Sequence, residues 1–371
     1  MLKKFTVTNF KNFKTTTSFD LGNPSNYEFN SCAINNGIVS KCLVYGRNGS
    51  GKSNLALAIF DIVIHLTDKE RVLDKYFPYL NLNSPKQTAD FEYVFVFDGM
   101  EVVYRYAKKD PMTLTHETLL INNIEVLDYD HSTKKGYTTL CGAETLQLSS
   151  TLITEADRLS RVKYIRSNAI LTDNEVNRAF IAFMSFVDNM LMFYSLDEKR
   201  YQGFCVGVDS YTQGIIRENK VQEFEDFLRA QGIDYNLVVG NTNGQPDLYC
   251  KMGNNIVQFV LLASTGTKSL ALFYYWYLRM GKSSLVFIDE YDAFYHFELS
   301  QSIVEFLKEL SNTQVILSTH NTDLMSNDLL RPDTYFLIQE NNIKSLEKCT
   351  EKELRKAHNI QKMYKAGSFN E

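Results

Sequence analysis

The chain has 371 residues, 44% hydrophobic and 22% charged, with a net charge of −5 and a pI near 5.8. These values describe a globular protein with ample chain for a core; they exclude a surface coated with positive charge but not a local basic stripe. Cys32, Cys42, Cys141, Cys205, Cys250 and Cys349 form no C-x-x-C pair, so they read as reduced thiols and not as a disulfide frame or a zinc site.

The opening "MLKKFTVTNFKNF" has neither the apolar core nor the cleavage site of a signal peptide, and a cytoplasmic location is expected. Strands are predicted at 2–8 and 41–45, followed by a buried helix over "KSNLALAIFDIVIHL" at 52–66. "DFEYVFVF" and "EVVYRYA" read as a β-hairpin turning at Asp98-Gly99, with a further strand pair around 114–127. From 153 to 232 the pattern turns helical. Within it "AFIAFMSFVDNMLMFYSL" is broken by Asp188 and Asn189, which argues for a buried helix and against a membrane span. Strands return at 235–240, 246–252 and 255–261. Thereafter helices at 267–280, 297–310 and 321–329 alternate with strands at 284–289, 313–317 and 334–338, the signature of a parallel sheet with crossover helices.

The expected fold is therefore α/β. Its nucleotide-type core is split into 1–150 and 235–340 by a helical insertion lobe at 151–234, and a basic tail follows at 341–371. That tail holds seven Lys or Arg against three Glu between Lys344 and Lys365. It reads first as a solvated helix, and otherwise as a contact for a partner or nucleic acid. "RLSRVKYIR" at 158–166 is a second basic candidate.

Three motifs carry chemistry. "GRNGSGKSN" begins at Gly46 and satisfies G-x-x-x-x-G-K-[ST] between an apolar strand and a helix. Gly46, Gly49 and Gly51 let the backbone curl, so that successive N–H groups face phosphate oxygens at a helix start, and Asn48, Ser50 and Asn54 are further candidate nucleotide-binding residues. Lys52 would bridge the β- and γ-phosphates of ATP, and Ser53 would ligate Mg²⁺. "SLVFIDEYD" ends a buried strand in Asp289-Glu290, at the edge where open α/β sheets bind ligands. Asp289 would hold Mg²⁺ through water, and Glu290 would polarise the attacking water. "TQVILSTHN" ends the next strand in His320, placed to donate a hydrogen bond to a γ-phosphate. His65 reads as a packed side chain, and His116, His131 and His358 as surface residues.

The order "NFKNF" (9–13), "GRNGSGKS", "STGTKSL", "FIDEYDAFYH" and "LSTHN" resembles the ABC-type ATPases of the RecF, SMC and OLD group. It is most similar to their short bacterial AAA-family relatives tied to phage defence. The resemblance spans 1–60, 90–125 and 235–338 and implies an ATPase head that dimerises around ATP and Mg²⁺. It places a D-loop at Asp292–His296 and the signature at "STGTK", where Ser264 and Gly266 would meet the nucleotide of a second chain. Thr265 and Thr267 depart from the usual L-S-G-G-Q form, and Gln87 is the candidate Q-loop residue. Neither SMC arms nor a TOPRIM nuclease is expected, since only 51 residues follow His320. The resemblance thus implies an antiviral switch, a homodimer or higher oligomer, that acts on a separate nuclease or toxin effector without membrane involvement. The alternative is a RecF-like DNA clamp in repair. A small-molecule kinase fits less well, because an acidic pair and a histidine after successive strands favour hydrolysis.

Overall fold

The structure is a computed structural model and describes residues 1–69, 73–146, 148, 159–194, 200–203, 210–339 and 341–369. The predicted division at 150/151, Arg158 and Cys205 lie outside the described residues. Two seven-stranded sheets organise the chain.

The first sheet is antiparallel, in the order Lys135–Thr138, Ile124–Asp130, Thr113–Ile121, Met100–Asp110, Ala89–Phe97, Leu2–Thr8, Thr17–Asp20. Its central hairpin turns at Asp98 (φ 49°) and Gly99 (φ 81°), the paired positive φ that a two-residue hairpin requires. Residues of Ala89–Phe97 alternate between buried and half-buried, as period-two patterning demands of a sheet with one covered face.

The second sheet is mixed. Met190–Tyr194, Leu285–Asp289, Gln314–Thr319, Lys41–Tyr45 and Tyr335–Gln339 run parallel in that order, flanked by antiparallel Arg200–Gly203 and Asn342–Ser345. Its parallel strands are buried on both faces, so they read as continuous apolar runs. Alternate side chains feed two separate cores. Cys42, Val44, Leu285, Phe287 and Ile316 join helix Lys52–Leu66, helix Glu175–Asp188 and the antiparallel sheet in one. Leu43, Tyr45, Val286, Ile288, Val315 and Leu317 join the other, beneath helices Tyr211–Arg217, Val221–Ala230, Thr265–Met280 and Phe297–Lys308. The buried Gln314 amide ties the two sheets, donating to Leu2 O and Val39 O (both 2.9 Å) and accepting from Leu2 N (3.0 Å).

The structure differs from the expectations in three places. The described residues between 159 and 234 are not helical throughout: helix Glu175–Asp188 stops at Asn189, and Met190–Tyr194 enters the mixed sheet beside Leu285–Asp289. A buried strand and a buried helix are equally apolar, so hydropathy merges them. The stretch at 321–329 holds only a 3-10 turn at Thr322–Leu324. Residues beyond 341 are not a solvated tail. Asn342–Ser345 is a sheet strand, and Leu346, Leu354, Ile360 and Phe369 are buried. Among the described residues no helix is long and apolar enough to cross a membrane.

Candidate functional site

The parallel strands bring their carboxyl ends to one edge, and the three motifs meet there. The loop after Lys41–Tyr45 turns through Gly49 (φ 77°) and Gly51 (φ 107°) into helix Lys52–Leu66. A Cβ on Gly51 would lie 2.4 Å from Asn12 Nδ2, so the position takes glycine for its left-handed backbone and for space. No side chain caps this helix, which leaves first-turn N–H groups to face an anion. Ser50 Oγ is buried in the same loop without a hydrogen-bond partner. Asn48 and Gly49 are exposed on the loop's crest. Uncapped donors, an orphaned hydroxyl and a cradle that a Cβ would fill fit a nucleotide phosphate.

Lys52 Nζ donates to Gly46 O (3.0 Å) and lies 3.2 Å from both ring nitrogens of His320. His320 Nε2 is 3.1 Å from Glu290 Oε1. His320 Nδ1 also lies 3.2 Å from Gly46 O, so the ring stands between the loop carbonyl, the Lys52 ammonium and the Glu290 carboxylate. Burial pulls the Lys52 ammonium below its ordinary range, opposed by the negative charges of Glu290, Asp289 and Asp292. Burial likewise raises the Asp289 carboxyl, opposed by hydrogen bonds from Ser318 and Ser53. Lys52, Ser53, Asp289, Glu290 and His320 thus form one constellation. The Ser53 hydroxyl beside a buried carboxylate is the oxygen-donor set that suits Mg²⁺.

Strand parity explains why they converge. Asp289 continues the side of Leu285 and Phe287, and Ser318 that of Ile316, so both face the core that holds helix Lys52–Leu66. Glu290 has a left-handed backbone (φ 47°), which turns its side chain off the strand axis towards His320.

Two contributors escape the motif reading. Asn12, inside "NFKNF", donates to Ser50 O (3.4 Å) and accepts from Asn54 Nδ2 (2.7 Å), so Asn54 supports the loop from outside. Ser318 lies between Asp289 and Glu290, bonded to both. An Asn in the motif, and a hydroxyl within an apolar strand, were the available signals.

Ser264 and Gly266 lie apart from this constellation. Ser264 Oγ caps helix Thr265–Met280, accepting from Thr267 N (3.2 Å) with Thr267 Oγ1 at 2.9 Å. That helix covers the opposite sheet face from helix Lys52–Leu66. Among the described residues no hydrogen bond links Ser264 or Gly266 to Gly46–Asn54. Asp292 is pushed up by burial and accepts from Thr319, while His296 caps helix Phe297–Lys308. Gln87 donates to its neighbour Pro85 O, well apart in bonding from the site. His131, read as a surface residue, has a buried side chain with Nε2 3.0 Å from Glu117 Oε1.

A family model described as "AAA domain, putative AbiEii toxin, Type IV TA system" matches residues 196–326, about a third of the chain, including Asp289, Glu290 and His320 but not Gly46–Ser53. No curated protein matches the chain. Among solved structures, the SMC head domain from Thermotoga maritima is similar at 17% identity, covering 93% of this chain and 99% of that one, with a TM-score of 0.47. An SMC head bound to the C-winged helix domain of ScpA is similar at 17% identity, covering 94% and 99%, with a TM-score of 0.47. An Smc head with an extended coiled coil, bound to the C-terminal domain of ScpA derived from Pyrococcus furiosus, is similar at 15% identity, covering 94% and 97%, with a TM-score of 0.46.

Proposed function

We propose that the chain is an ATP-hydrolysing switch that dimerises around ATP and controls a separate effector, a nuclease or toxin, in antiviral defence. The observation that carries the ATPase reading is the convergence of Lys52, Ser53, Asp289, Glu290 and His320 at one sheet edge, linked by contacts of 3.2 Å or less from Lys52 through His320 to Glu290. The matched family description, which names a putative toxin of a toxin–antitoxin system, supports a defence role.

Lys52 would draw the β- and γ-phosphates of ATP to the loop, exchanging its contact with His320 for phosphate oxygens. Mg²⁺, when bound through Ser53 and Asp289, supplies neutralisation of phosphate charge. Glu290 would take a proton from the attacking water, and His320, held by that same carboxylate, would sense whether a γ-phosphate is present. Ser264 and Gly266, on the far sheet face and unattached to their own loop, would serve the nucleotide of a second chain. ATP then contributes contacts found only in the closed pair, and hydrolysis removes them.

The test is Glu290→Gln with ATP and Mg²⁺, followed by light scattering and steady-state hydrolysis. The variant should bind ATP, hydrolyse it at least ~100-fold more slowly than the wild type, and double in mass only when ATP is present. A wild type without ATPase activity, or a Glu290→Gln variant that stays monomeric with ATP, rejects the switch. Hydrolysis stimulated by DNA alone would select the DNA clamp instead.

A further inference from the structure

We infer that Ser318 is a positioning residue for nucleotide hydrolysis, setting the geometry of Asp289 and Glu290 together; the inference rests on the ATPase reading above. Ser318 stands fully buried in the apolar strand Gln314–Thr319, where a valine would fill the space and a hydroxyl is costly unless both its roles are used. Both are used. Its O–H donates to Asp289 Oδ1 at 2.6 Å, and its oxygen accepts the Glu290 N–H at 2.7 Å. The Ser318 carbonyl adds a third bond, accepting from Tyr291 N at 3.2 Å.

These bonds act on the most unusual backbone in the site. Glu290 is in the left-handed region (φ 47°), which a residue bearing a Cβ occupies only when its surroundings hold it there. The acceptor for its N–H is Ser318 Oγ. Without that oxygen the Glu290 N–H loses its acceptor, and of the Ser318 bonds only the one from Tyr291 N to the Ser318 carbonyl remains to hold the turn that places the carboxylate 3.1 Å from His320 Nε2. The same deletion removes the donor that orients Asp289 on the side facing Ser53. One hydroxyl therefore couples the metal-side carboxylate to the water-side carboxylate. The adjacent Thr319 does parallel work, donating to Asp292 while accepting from Asn321 N at 2.9 Å.

The test compares wild type, Ser318→Ala and Ser318→Thr in two assays: steady-state hydrolysis against ATP and Mg²⁺, and binding of a fluorescent ATP analogue in EDTA and in Mg²⁺. In Ser318→Ala, kcat should fall by roughly 10–100-fold and the Mg²⁺ needed for half-maximal rate should rise, the usual scale for groups that orient metal ligands. KM and analogue affinity in EDTA should stay within about twofold of the wild type, because the loop and Lys52 are untouched. The gain in affinity that Mg²⁺ confers should shrink. A purely structural role would lower the melting temperature without this split. Ser318→Thr keeps the oxygen on a β-branched residue suited to a strand, and should retain both the rate and the Mg²⁺ requirement. A Ser318→Ala protein with wild-type kcat and Mg²⁺ dependence overturns the inference, as does a folded Ser318→Thr as defective as Ser318→Ala. A wild type that shows neither hydrolysis nor Mg²⁺-dependent binding fails at the ATPase reading, a result visible without any variant.

Discussion

Lys41 carries an ammonium group into the amino end of the strand that leads to the phosphate loop. It is 3% exposed, and Nζ donates to Thr313 O at 2.8 Å, with no carboxylate bonded to it among the described residues. Burial pushes its pKa down to about 8. Below that pH the folded and unfolded chains are both protonated, and the folded state bears the cost of a buried cation. Between about 8 and the ordinary lysine range, the unfolded chain holds a proton that the folded chain has released. Unfolding then takes up a proton and becomes less favourable as pH rises. Relative to Lys41→Met, the wild type should therefore gain stability from pH 8 to 10, by at most about 1.4 kcal/mol per pH unit. Urea titrations of both proteins at pH 7, 8.5 and 10 check this; a difference that stays flat refutes the buried-cation account.

Helix Lys52–Leu66 is an element with two obligations, since its first turn faces the nucleotide site and its middle enters a core. Asp61 and Lys108, both fully buried, join it to the antiparallel sheet at 2.6 Å, and Tyr79 and Tyr106 also donate to Asp61. Removing one partner strands a charge in a low-dielectric interior, whereas replacing both with apolar groups does not. Lys108→Met should cost about 3–5 kcal/mol in urea unfolding. Asp61→Leu combined with Lys108→Met removes the stranded charge but also the acceptor of Tyr79 and Tyr106, so it should recover only part of that loss, and equal costs for the single and double variants would refute the pairing. The helix itself was legible in the sequence, because its apolar run and the preceding glycines are local signals. Asp289 and His320 were legible for the same reason, each closing an apolar strand. Met190–Tyr194 was not, because it continues an apolar helix and its partner strand Leu285–Asp289 lies far along the chain. The left-handed turn at Glu290 was hidden too, since its cause is a hydroxyl on the neighbouring strand.

At the scale of the molecule, the mixed sheet divides the chain into two faces, with the phosphate loop opening onto one and the Thr265–Met280 helix covering the other. The start of that helix is exposed at Ser264 and Thr265, and the Leu261 side chain just before it is 75% exposed. In the proposed dimer, the start of the Thr265–Met280 helix, on the face opposite its own phosphate loop, would meet the loop of the second chain. Complementation tests this. Lys52→Ala disables the loop, and Thr265→Trp blocks the exposed helix start while keeping the Ser264 cap. Each variant alone should be inactive. In a 1:1 mixture about half the dimers are mixed, and each mixed dimer holds one whole site, so about a quarter of the wild-type rate should return. Thr265→Trp retaining full activity by itself would sink the shared-site arrangement. So would an inactive mixture in which affinity tags demonstrate mixed dimers, because the intact loop and the intact helix start would then be present together and still fail to make a site.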